Sequence, residues 1–136
     1  MSLVALLGRF TLAYLFLLVA IALGLHLIGI PSSSGTNTAA LLGAVMWGCQ
    51  AFAKRNGRYL TRAEQRSIFV GMLTVDLLLQ WGIILLTNTG TATGLPLAAT
   101  LAILAFVAVL HALTIWVTIG IAGKQYAKDA ARARRA

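Results

Sequence analysis

Ser67-Ile-Phe-Val-Gly-Met-Leu-Thr-Val-Asp-Leu-Leu-Leu-Gln-Trp-Gly-Ile-Ile-Leu-Leu86 decides the fold. Twenty residues wound as an α-helix rise about 30 Å, the thickness of a bilayer's hydrocarbon core. The only charge among them is Asp76. Arg62, Glu64 and Arg66 stand just before this segment, and the uncharged polar run Thr87-Asn-Thr-Gly-Thr-Ala-Thr-Gly94 follows it. Residues 67–86 therefore read as a transmembrane helix that enters from a basic side and leaves on an uncharged one.

The rest of the chain repeats this plan. Of 136 residues, 60% are hydrophobic and 10% charged, and the mean hydropathy is +0.89. Soluble domains carry about a quarter charged residues, so this chain has too little polar surface to cover a water-soluble globule. Its hydrophobicity equally excludes disorder.

A formal net charge of +8 would suggest a nucleic-acid partner if the basic residues shared one soluble surface. Their positions argue otherwise. They are Arg9, then Lys54, Arg55, Arg58, Arg62 and Arg66, then Lys124, Lys128, Arg132, Arg134 and Arg135. Residues 10–53 and 67–123 contain none, and each stretch is two apolar blocks parted by a short polar run, the first at Pro31-Ser-Ser-Ser-Gly-Thr-Asn37.

The expectation is an all-α integral membrane four-helix bundle made of two helical hairpins. Its spans are residues 10–30, 38–53, 67–86 and 97–123, within a domain of residues 1–123. A basic cytoplasmic tail, residues 124–136, follows. The positive-inside rule places all three basic groups, and both termini, in the cytoplasm. Nucleic acid is not an expected partner. Anionic lipid is, and Lys124, Lys128, Arg132, Arg134 and Arg135 are the candidate head-group contacts. No cleavable signal is evident, because the apolar run after Arg9 is too long for a signal peptide and no A-x-A site follows it.

Local signals refine the plan. Thr61-Arg-Ala-Glu64 fits a capping box at the start of the third helix, and Pro96 suits the first position of the fourth. Ala40, Gly43, Ala44 and Gly48 give the second helix a small-residue face for close packing within the bundle or for docking a second protein.

Ionisable residues inside a span are the strongest pointers to function. Asp76 lies about 15 Å beyond Arg66, and Gln80 one helical turn further on the same face. His111, some 20 Å from Lys124 along the fourth helix, falls level with Gln80 if the third and fourth helices pack as an antiparallel hairpin. Asp76, Gln80 and His111 are thus expected to form one intramembrane polar cluster, with Thr114 and Thr118 extending the His111 face. The cluster serves either as a proton or cation site or as a clip between helices.

His26 reads as an interfacial residue. Cys49 is the only cysteine, so no intrachain disulfide or cysteine metal site forms. No nucleophile–base pair, phosphate loop or metal-ligand spacing occurs, so neither catalytic residues nor a cofactor nor a metal is expected.

Arg9-Phe10 with Tyr14, Gly35-Thr-Asn37, Ala39-Ala40, Gly43-Ala44, Phe52, Arg58, Thr61 and Glu64 resemble the pattern of a family of small, mostly uncharacterised four-span bacterial inner-membrane proteins. The resemblance covers residues 9–85. It implies a bacterial inner (cytoplasmic) membrane and no particular activity.

Two functions follow as expectations. The first is a non-enzymatic role through helix–helix contacts, as an accessory subunit or an immunity-type protein, with a membrane-protein partner or a parallel homo-oligomer. The alternative is a small proton- or cation-coupled transporter or channel that uses Asp76. The one-sided charge disfavours an antiparallel dimer.

Overall fold

The computed structural model describes residues 1–30, 34–87 and 97–135. They form four α-helices: α1 (Leu3–Leu27), α2 (Ser34–Asn56), α3 (Arg62–Thr87) and α4 (Leu97–Ala133). Pro96 lies outside the described residues.

Local chemistry sets the helix ends. The Ser2 hydroxyl accepts from the Ala5 amide at 3.2 Å and opens α1. At the other end Gly29 takes a φ of +73°. The Gly29 amide donates to the His26 carbonyl at 3.1 Å and the Ile30 amide to the Leu25 carbonyl at 2.9 Å. This is the Schellman closure, in which a glycine turns left-handed and satisfies the last carbonyls. Gly57, with a φ of +63°, follows the last residue of α2 in the same conformation.

At the start of α3 the expected capping box is present. The Thr61 amide donates to the Glu64 carboxylate at 2.8 Å, and the Glu64 amide donates to the Thr61 hydroxyl at 3.3 Å.

Each helix packs against two others. α1 meets α2 and α3, and α4 meets the same two, so α1 and α4 stand on one diagonal of the bundle and α2 and α3 on the other. The contacts fix the directions. The Met1 amino group and carbonyl bond Asn56, and Phe10 lies near Gly48, so α1 and α2 run antiparallel. Leu7 faces Gly71 and Tyr14 faces Asp76, so α1 and α3 run parallel. Phe69 meets Trp116 and Asp76 meets His111, so α3 and α4 run antiparallel.

The core between them holds Phe10, Leu41, Phe52, Met72 and Ile115. The small-residue face of α2 turns into it. Ala40, Ala44 and Gly48 are buried, and a Cβ at Gly48 would stand 3.8 Å from Phe10 Cβ. At Gly43 a Cβ would meet Leu17 Cδ1 at 3.0 Å. Ala40, Ala44 and Gly48 of this face thus pack inside the bundle, while Gly43 is half-buried.

The helices run past the span limits drawn from charge: α1 starts at Leu3 rather than residue 10, and α4 continues through Gly123 to Ala133. The basic segment is thus a helical stem up to Ala133, with Lys124, Lys128, Arg132, Arg134 and Arg135 exposed. The difference from the expected plan is one of spanning capacity. Among the described residues, two helices rather than four are long and apolar enough to cross a membrane, Leu3–Leu27 and Leu101–Ala133. The architecture is all-α with four helices.

Candidate functional site

One buried polar network draws side chains from all four helices. Asp76 of α3 is its centre and is fully inaccessible. Its Oδ1 lies 2.6 Å from the Tyr14 hydroxyl of α1, and that hydroxyl lies 2.6 Å from Asn37 Oδ1 of α2. The other carboxylate oxygen, Oδ2, accepts from Gln80 Nε2 at 2.7 Å and lies 2.8 Å from His111 Nδ1 of α4. Gln80 Nε2 is also 2.7 Å from His111 Nδ1. The three residues expected to cluster therefore do meet, and Tyr14 and Asn37 join them.

Helical geometry explains the convergence. Asp76 and Gln80 are four residues apart, so both project from one face of α3. The antiparallel pairing of α3 with α4 brings His111 to their level. Tyr14 stacks on Phe10 with ring centroids 5.6 Å apart, which aims its hydroxyl along α1 toward the start of α2. Because α2 begins at Ser34 rather than residue 38, Asn37 is helical and within reach.

Thr114 and Thr118 lie on the same side of α4 but do not join the network. Their hydroxyls donate to the backbone carbonyls of Leu110 and Thr114 at 2.8 and 2.6 Å. Thr11 and Thr74 do likewise with Leu7 and Val70. Each hydroxyl is thus satisfied by the carbonyl one turn back along its own helix.

Counting protons shows what the network can do. The Tyr14 hydroxyl has one proton and two oxygen neighbours. Either Tyr14 donates to Asp76 while the Asn37 amide presents its nitrogen to the phenol, or Asp76 carries a proton on Oδ1 and donates to Tyr14. Likewise, one proton must lie between Asp76 Oδ2 and His111 Nδ1. It sits on the imidazole, which then donates to a carboxylate, or on the carboxyl, which then donates to the imidazole. In either arrangement Gln80 Nε2 donates to Asp76 Oδ2, because the single lone pair of Nδ1 is taken up by its own proton or by the carboxyl's. Two positions for one proton thus fit nearly the same heavy-atom geometry, as in a relay or a switchable clip. Among the described residues no buried side-chain nitrogen or oxygen lacks a partner.

The network has one partly open side. Gln80 lines a groove of about 220 Å³ between α3 and α4 with Leu77, Trp81, Leu101, Leu104 and Ala105. Among the described residues its polar lining is Gln80 and the indole N–H of Trp81.

The basic end of the molecule carries a second construction. Arg58 clasps Glu64 with two bonds of 2.7 and 2.8 Å, and its guanidinium lies 5.6 Å from the Phe52 ring centroid. Arg58 and the Thr61 amide together hold the Glu64 carboxyl down at about 2. The Tyr59 hydroxyl donates to the Ile119 carbonyl, and its ring stacks on Tyr126 with centroids 6.3 Å apart. Burial raises the Tyr59 phenol above its ordinary pKa.

His26 is exposed in the last turn of α1, away from the network, and Cys49 is buried and unpaired. Among the described residues no three metal-ligating side chains gather.

No family model, curated protein or solved structure matches this chain.

Proposed function

We propose that this chain is a four-span protein of the bacterial inner membrane, with both termini cytoplasmic, that acts without catalysis through contacts of its helices within the bilayer. The carrying observation is the inversion of polarity. The ionisable network is inside, while Phe16, Leu23, Phe106 and Leu113 point outward. In the two most apolar helical windows only 11% and 22% of residues are buried. A core helix of a soluble protein would be mostly buried; these helices expose large apolar side chains as a lipid-facing surface does. Under this reading α2 and α3 also cross the membrane, with their polar groups turned to the interior. Membership of the four-span family that the sequence resembles is part of the same proposal. Tyr14, Asn37, Arg58, Thr61 and Glu64 of that resemblance all make side-chain hydrogen bonds here.

Single cysteines at Ser2, Ser33, Thr91 and Ala131, in a Cys49→Ser background, test the topology in intact cells with a membrane-impermeant maleimide. Labelling is expected at 33 and 91 only, and labelling at 2 or 131 would overturn the orientation. Gentle-detergent purification tests the contact role. A chain that stays strictly monomeric and brings no other protein from native membranes removes it.

A second reading rests on the 2.8 Å contact of Asp76 with His111: a proton- or cation-coupled path through the bundle. Its test is flux into liposomes carrying Asp76→Asn. Loss of flux supports it, and flux equal to the unmodified protein excludes Asp76 as the coupling site.

A further inference from the structure

The outer surface where α1 meets α2 carries a groove of about 580 Å³, lined by Arg9, Leu12, Ala13, Phe16, Gly43 and Trp47. That volume lies in the range of small-molecule sites, about 300–1,000 Å³. Its lining side chains are apolar except for the Arg9 guanidinium and the indole N–H of Trp47. Arg9 stands seven residues beyond the Ser2 cap, so about 10 Å along the helix from its start. Val4 and Leu12, exposed before and after it, are apolar. Among the described residues no carboxylate, carbonyl or aromatic ring partners the Arg9 side chain. The other cations of this end sit in loops, at helix ends or on the α4 stem, where water reaches them.

We propose that this groove binds one anionic phospholipid, with an acyl chain along Leu12, Phe16 and Gly43 and the phosphate on Arg9. The proposal rests on the membrane reading above. An unpaired guanidinium at the end of an apolar groove is costly beside lipid tails unless it meets an anion. A guanidinium matches a phosphodiester with a forked pair of hydrogen bonds. Gly43 and Ala13 keep the floor low, and Trp47, half exposed at the rim, suits the boundary between head groups and tails. The cationic stem of α4 is a separate surface and attracts any anionic head group without a groove to hold the chain.

The test is lipid retention by the full chain, measured by native mass spectrometry after release from nanodiscs of phosphatidylcholine with phosphatidylglycerol. One retained phosphatidylglycerol per chain is expected. Arg9→Gln should weaken retention at least about fivefold, the worth of one basic residue at an anionic surface, with Arg9→Lys intermediate. Replacing Lys124, Lys128 and Arg132 with Gln should leave the retained lipid in place. Equal retention of both lipids, no change in Arg9→Gln, loss only in the stem variant, or complete displacement by inorganic phosphate would each overturn the groove site. A chain that alkaline carbonate strips from membranes overturns the membrane reading, and the groove with it. A chain that resists carbonate but shows no preference fails the groove alone.

Discussion

Gly123 lies directly against the ring of Tyr59: a Cβ built at 123 would stand 2.7 Å from Tyr59 Cε1 and 3.1 Å from Cδ1. The ring cannot easily yield, because its hydroxyl is tied to the Ile119 carbonyl one turn earlier and its outer face stacks on Tyr126. The absent side chain at 123 is therefore what lets the connection between α2 and α3 lie on α4. This contact ties the loop to the one helix that α2 and α3 share besides α1.

Gly123→Ala should destabilise the fold by about 1–3 kcal/mol, the usual cost of overpacking a filled site. Tyr59→Leu relieves the clash while losing the hydroxyl bond. The double variant should then be less damaged than the two single effects added together. Thermal unfolding in detergent of all four proteins closes the cycle, and simple additivity would show that residues 59 and 123 do not press on each other.

The polar network makes a graded prediction. Tyr14→Phe removes one hydroxyl while Asp76 keeps Gln80 and His111 on its other oxygen, so it should cost about 0.6 kcal/mol and no more than about 1.7, the range for single interhelical hydrogen bonds between membrane helices. Asp76→Leu leaves Tyr14, Gln80 and His111 facing an apolar group together, and should cost about 3–5 kcal/mol. Asp76→Asn keeps acceptor and donor capacity and should fall between. Equal costs for Tyr14→Phe and Asp76→Leu would mean that the network is not organised around the carboxylate.

How much of this was legible beforehand follows from geometry. Asp76, Gln80 and His111 could be brought together from helical rise and spacing alone, since depth along two antiparallel helices is simple arithmetic. Thr61 and Glu64 were legible because a capping box is local. Tyr14 and Asn37 were not, although both stand in the motif behind the family resemblance. A tyrosine in an apolar helix reads as core or interface, and Asn37 reads as the end of a polar loop until α2 is seen to start at Ser34. Joining them requires knowing that α1 packs on both α2 and α3. Periodicity cannot supply that diagonal arrangement, because it gives each helix a buried face but not the neighbour that covers it. The same limit hid the groove beside Arg9, which sequence reads only as a topology signal.

Gly57 offers a test confined to the backbone. Its φ of +63° is left-handed, and a Cβ there would meet nothing within 4 Å. Any cost of Gly57→Ala is thus conformational, about 1–2 kcal/mol for an L-residue held left-handed. Gly29→Ala, at +73° and also in open space, should cost a similar amount. Melting temperatures of the two variants check this, and a neutral Gly57→Ala would mean that the turn relaxes into another conformation.

The pH dependence of the basic end follows from Glu64. In the fold its carboxyl is held at about 2, below the ordinary 4.5, first by the Arg58 guanidinium and then by the Thr61 amide. A depressed carboxyl pKa means that the folded state prefers the ionised form more strongly than the unfolded state does. The stabilisation is therefore present above about 4.5 and is lost as the pH falls from there toward about 2. Because the pair is exposed, salt should shrink the effect. Unfolding curves at pH 7 and pH 3, for the unmodified chain and for Glu64→Gln, isolate it. The gap between the two proteins should narrow at pH 3. Arg58→Gln should remove most of that pH dependence while leaving the Thr61 cap in place. A gap that is constant with pH would show that Glu64 acts through its uncharged cap geometry and not through its charge.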